Sequence, residues 1–238
     1  MRRLAALGLA AQLLNTLTWV AAGLFDPRFS FVHNDTSDLG ARTARHALPY
    51  NIGLSVSGGL TLMLAAGLWL IRPGPRRRLW SVGVFLVAVF AVGELLDGVL
   101  REDCAVSVDA ACRAAAKAGR VSWQHQAHDI ESLATFAALV LAPLFVGLAC
   151  RQREEWRALA PWSFAVCGVQ AVALPVFLAL YDKGSNGQGV VEIVEITAGV
   201  AWLAIVSYRL RSPELAKPSI HPQPCRRTTQ LEQRSSDQ

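Results

Sequence analysis

The chain has 238 residues, of which 53% are hydrophobic and 17% charged, and its mean hydropathy is +0.32. That balance is too apolar for a water-soluble domain and directs the reading to an integral membrane protein. The formal net charge of +5 is distributed over alternate loops rather than gathered in one patch, which speaks for membrane topology and against nucleic-acid binding.

Six apolar stretches, 4–25, 50–71, 80–100, 121–149, 162–181 and 189–208, each approach or exceed the roughly 20 residues that carry a helix across a bilayer core. The predicted fold is therefore all-α, a polytopic bundle of six transmembrane helices filling 1–211. The segment 212–238 holds Pro213, Pro218, Pro222 and Pro224 among polar residues and is expected to be a disordered tail. Residues 1–25 begin with basic residues, as a secretory signal does. Their apolar run is longer than a signal needs, and they are read as a retained first helix, with cleavage as the alternative. Lys and Arg number 15 in the terminal segments and the second and fourth loops, against 8 in the other three loops. The positive-inside rule then expects both termini in the cytoplasm, in a plasma membrane.

Along the chain, span one places Gln12, Asn15 and Trp19 on one helical face, a pattern for bonds to neighbouring helices. The outer loop 26–49 is long for a connector and carries Ser37 and Asp38, either of which can cap a short helix. Span two is rich in Gly, which lets helices approach closely. Span three ends with Glu94 and Asp97, i, i+3 neighbours that cannot both ionise cheaply in hydrocarbon. The third loop contains Cys104 and Cys112, expected to pair on an oxidising face.

Span four opens with His125, His128 and Asp129 at i, i+3 and i+4, on one face, whereas Glu131 is expected to point elsewhere. Three readings of this opening stay open: a divalent metal site, a polar hydrogen-bond network, and a helix start in water. For a metal such as zinc, the candidate ligands are His125, His128, Asp97 and Glu192. Span five contains Gln170 and Pro175, and span six carries Glu192 and Glu195 near its outer end. Threaded back and forth, the spans bring these ionisable groups into one leaflet, where such residues by default mark a site.

The candidate catalytic residues are His128, Asp97, Glu94, Ser37 and Asp38. The expected function is a membrane-embedded enzyme acting on a lipid or amphipathic small molecule, with membrane lipid as partner and no nucleic acid. Two alternatives stand beside it: a non-catalytic accessory protein, and a small proton- or ion-coupled transporter. A carrier keeps its site near the midplane, and the charges here lie toward one surface.

Ser37-Asp38-Leu39-Gly40-Ala41, Asp103-Cys104, Cys112 and Ser122-Trp123 followed by His128 form a pattern that resembles the bacterial membrane family called domain of unknown function 998. The resemblance covers 1–210 and implies six spans; it brings no activity with it. In that pattern a His commonly follows the Trp directly, where this chain has Gln124. Ser37, Asp97, His125 and His128 are also similar in residue type to the membrane hydrolases that hold zinc with Ser, Asp and three His. Those enzymes usually have seven spans and take their His from different helices.

Overall fold

The computed structural model describes residues 1–71, 77–151, 154–183 and 186–211. The tail expected over 212–238, with Cys225, lies outside them. Among the described residues the regular structure is helical: α1 (Arg2–Phe25), α2 (Ala47–Ile71), α3 (Arg77–Asp97), α4 (Ala110–Lys117), α5 (Trp123–Cys150), α6 (Glu154–Arg157), α7 (Leu159–Lys183) and α8 (Gln188–Arg209), with a 3-10 turn at Thr36–Gly40. Six of these helices are long and apolar enough to cross a membrane, as the sequence led us to expect. Leu13, Leu17, Leu70, Phe85 and Leu133 stay exposed on their outer faces, as lipid-facing residues do.

The six long helices form a ring. Each packs on its neighbour in sequence, and α8 closes the ring against α1, while α5 and α8 barely touch across the middle. One end of the ring is filled with apolar side chains, including Leu64, Trp80, Leu139, Val146, Trp202 and Leu203. The indole N–H groups there find acceptors: Trp80 Nε1 donates to the Leu68 carbonyl at 2.9 Å, and Trp202 Nε1 to Ser163 Oγ at 2.9 Å. Trp80 meets Trp156 edge-on, with centroids 5.2 Å apart. The opposite end is built differently. Gln12, Asn15, Glu94, His125, His128, Glu192 and Glu195 are all buried there or on the way to it.

Small residues set the helix spacing. A Cβ added at Gly58 on α2 would stand 2.6 Å from both the Ala91 carbonyl oxygen and the Leu95 nitrogen of α3. Backbone cannot swing aside as a long side chain can, so only glycine permits this approach. Gly59, one residue on, faces open space.

Gly58→Ala should therefore lower the unfolding temperature in detergent, with a cost of about 1–3 kcal/mol for overpacking. Gly59→Ala should be neutral or stabilising by up to ~1 kcal/mol through helix propensity. Thermal unfolding of the two variants side by side checks the contrast.

Candidate functional site

The loops at the polar end fold back onto the helices because the buried acids there need donors. Gln188, the first residue of α8, donates its amide to both carboxylate oxygens of Asp35, at 2.8 and 2.9 Å. One turn on, Glu192 accepts the Thr36 backbone N–H at 2.6 Å and the Thr36 hydroxyl at 3.0 Å. Asp38 accepts the Ser107 N–H at 3.0 Å and also its hydroxyl, which ties the first loop to the third. Gly189 makes the approach to α8 possible, since a Cβ there would overlap the Asn34 carbonyl. Burial raises the Asp35 carboxyl to about 7, with the nearby Asp38 charge adding to it and the Gln188 bonds opposing it. Burial likewise raises Asp38 to about 6, against the Ser107 bonds.

The third loop is fastened at both ends. Cys104 and Cys112 form a disulfide. Asp109 caps α4 by accepting the Ala111 N–H at 2.8 Å and the Cys112 N–H at 3.3 Å. Asp103 accepts the Ser122 N–H at 2.5 Å and its hydroxyl at 2.8 Å, and these bonds hold its carboxyl below the usual range. Ser122 in turn caps α5, accepting the His125 N–H at 3.3 Å. The Asp103 N–H donates to His125 Nδ1 at 3.1 Å. The opening of α5 is thus roofed by loop, and His125 is fully buried, so the reading of a helix start in water does not describe it.

His128 occupies the centre of this end, 5% exposed. Its Nδ1 lies 3.4 Å from Asp97 Oδ1 and 4.0 Å from Glu131 Oε1, and its Nε2 lies 3.7 Å from Glu102 Oε1. Burial, together with the charges of Asp38, Asp129 and Asp35, pushes the Glu102 carboxyl well above its ordinary range. Below His128 opens a cavity of about 260 Å³. Glu94, Asp97, Glu102 and His128 line its polar end, and Leu54, Phe90, Phe136, Leu174 and Phe177 line its apolar walls.

The residues singled out from sequence fall into three groups. His128, Asp97, Glu94, Ser37 and Glu192 all line the cavity. Within it Glu94 accepts a bond from Asn15 Nδ2, and both Glu192 oxygens are taken by Thr36. Asp38 is turned into the loop packing beside Ser107. The proposed ligand set His125, His128, Asp97 and Glu192 does not converge on one point. His125 Nε2 faces Asp129 at 3.9 Å, whereas His128 Nδ1 faces Asp97 and Glu131. Residues at i, i+3 share a helix face but are offset by a turn, and the Asp103 N–H of the loop engages His125 Nδ1. Glu195 lies buried on α8, and Gln170 donates to its backbone carbonyl at 3.1 Å.

Two residues at His128 were not among the candidate site residues. Glu131 was expected to face away, yet at i+3 from His128 it is that residue's helical neighbour, and its Oε1 comes within 4.0 Å of the ring. Glu102 lies outside every helix; its one signal in the sequence is its place in an acidic pair directly before a cysteine.

A model of the family described as "Protein of unknown function (DUF998)" matches residues 9–209. The chain belongs to this family. No curated protein and no solved structure matches it. The match takes in most of α1 and the other five long helices, so the polar end of the ring lies within the family's extent.

The raised acids set a pH dependence. A carboxyl with a folded pKa of about 7 against 3.8 ordinarily keeps its proton in the folded state where the unfolded chain has released it. Asp38 and Glu102 shift the same way. Stability should thus fall as pH rises through the window from 3.8 to about 7. Asp35→Asn, which still accepts from Gln188, should flatten the slope in detergent melts followed across that window.

Proposed function

We propose that the protein is a membrane-embedded enzyme acting on a lipid or other amphipathic molecule. The observation that carries this reading is a single cavity joining a buried histidine among three carboxylates to walls of leucine and phenylalanine. An amphipathic molecule fits such a space with its chain against Leu174 and Phe177 and its polar linkage beside His128. Leu133 and Leu178 line the cavity and are also exposed on the outer face, which marks a side entrance from the bilayer. His128, held between Asp97 and Glu102, is placed to move a proton at that linkage, and a positioned acid or base contributes roughly 10²–10⁴-fold in rate.

We place both termini in the cytoplasm of a bacterial plasma membrane, with the site in the outer-leaflet half. The Lys and Arg excess on the terminal side supports this. So does the Cys104–Cys112 disulfide at the site end, because disulfides persist on oxidising faces. A C-terminal fluorescent-protein fusion should glow and a C-terminal alkaline phosphatase fusion should be inactive; the reverse pair would invert the topology.

A second reading, a non-catalytic membrane component, draws on the clamps between Thr36 and Glu192 and between Asp35 and Gln188, which employ buried acids purely as fasteners. Purified protein incubated with a total bacterial lipid extract separates the two. Mass spectrometry should show a lipid converted by the wild type and left intact by His128→Ala, while Asp38→Asn retains turnover. Lipid consumption that is absent from the wild type, or equal in His128→Ala, would defeat the enzymatic reading.

A further inference from the structure

Three buried atoms aim at one another beside the cavity, Asp97 Oδ1, His128 Nδ1 and Glu131 Oε1, and each lacks a hydrogen-bond partner among the described protein groups. Burying three polar atoms without a hydrogen bond is costly, and an ion among them would relieve that cost. They stand 3.4 and 4.0 Å apart across the histidine, and all three lie within 4.8 Å of one another. Ligands of a tetrahedral ion with bonds of about 2.1 Å are separated by roughly 3.4 Å. Small rotations of the two carboxylates bring the three atoms onto such an ion.

We infer that Asp97, His128 and Glu131 hold a divalent transition-metal ion, and that Glu102 orients the histidine for it. The inference rests on the same cavity as the enzymatic reading and deepens it: with both ring nitrogens of His128 then engaged, its part in the reaction would be to hold the ion rather than to move a proton. Glu102 Oε1 faces His128 Nε2 at 3.7 Å, so an ion on Nδ1 would leave the Nε2 proton directed at that carboxyl group. Two carboxylates and a neutral imidazole cancel the charge of a divalent ion, which offsets the cost of burying bare carboxylates. Asp97 and His128 line the cavity, so the remaining coordination position opens where substrate or water enters.

A neighbouring cluster, Glu102, His125 and Asp129, has metal-ligating residue types but the wrong protonation. A backbone N–H is always a donor. His125 Nδ1 accepts the one from Asp103, so the neutral ring must carry its proton on Nε2. That nitrogen faces Asp129 and has no lone pair to offer. His125 is a fastener of the loop, and the ion belongs to His128.

The full chain, tag-free in detergent and stripped with a chelator, is titrated with Zn²⁺ alone by calorimetry, and Co²⁺ replaces it for visible spectroscopy. The expected result is one ion per chain, with Co²⁺ bands of low coordination number. His128→Ala and the near-isosteric Glu131→Gln should each weaken binding by at least about tenfold, and Glu102→Gln by about 10–100-fold, as for other residues that orient a metal-bound histidine. His125→Gln should bind as the wild type does. Size-exclusion profiles identify any variant that has not folded, and Glu131→Gln, which keeps the side-chain volume, carries the test if His128→Ala fails. No ion in the wild type, or equal loss in His125→Gln and Glu131→Gln, overturns the inference; Asp97 and Glu131 then share a proton instead. Lipid turnover persisting in metal-free protein would sink the ion and leave the enzymatic reading standing.

Discussion

Buried acids without adequate donors are the constraint from which the polar end of this protein is built. A carboxylate or histidine in hydrocarbon must find a partner or give up its charge. The helices alone cannot supply enough partners, because their backbone N–H groups are already engaged. The loops therefore descend into the ring. Thr36 brings an N–H and a hydroxyl to Glu192, Ser107 does the same for Asp38, and Asp103 fixes both the cap of α5 and the ring of His125. The other end of the bundle is under no such demand and is filled with leucine, valine and tryptophan.

This division explains which parts of the molecule could be read from sequence. Hydropathy reports helices in lipid directly, and the six spans emerged within a few residues of the bounds of the six long helices. The pairing of Cys104 with Cys112 followed from their closeness on one loop. Clustering of Glu94, Asp97, His128 and Glu192 at one end followed from alternation of direction alone, and all four do line the cavity.

Pairing at the scale of a few ångströms was not legible, because it depends on loop conformation. Helical periodicity puts His125 and His128 on one face, yet a loop nitrogen claims the first and leaves the second free. Glu131 lies off the face of His125 and was set aside for that reason, although its i+3 spacing from His128 makes the two direct neighbours. Glu102 belongs to no periodic element, and only the tertiary fold carries it to His128. Glu192 looked like a ligand because it is buried and acidic, and those two properties serve a clamp equally well.

The closure of the ring has a temporal consequence. Helices emerge from the ribosome in order, and the last of them, α8, supplies both the wall that meets α1 and the residues Gln188 and Glu192 that draw the first loop inward. Until that helix is inserted, the Asp35 and Thr36 side chains lack their partners on α8 and one wall of the compartment is missing. With only the first five long helices inserted, the bundle is thus a half-open vessel, and the sixth both closes its wall and draws the loop down over it.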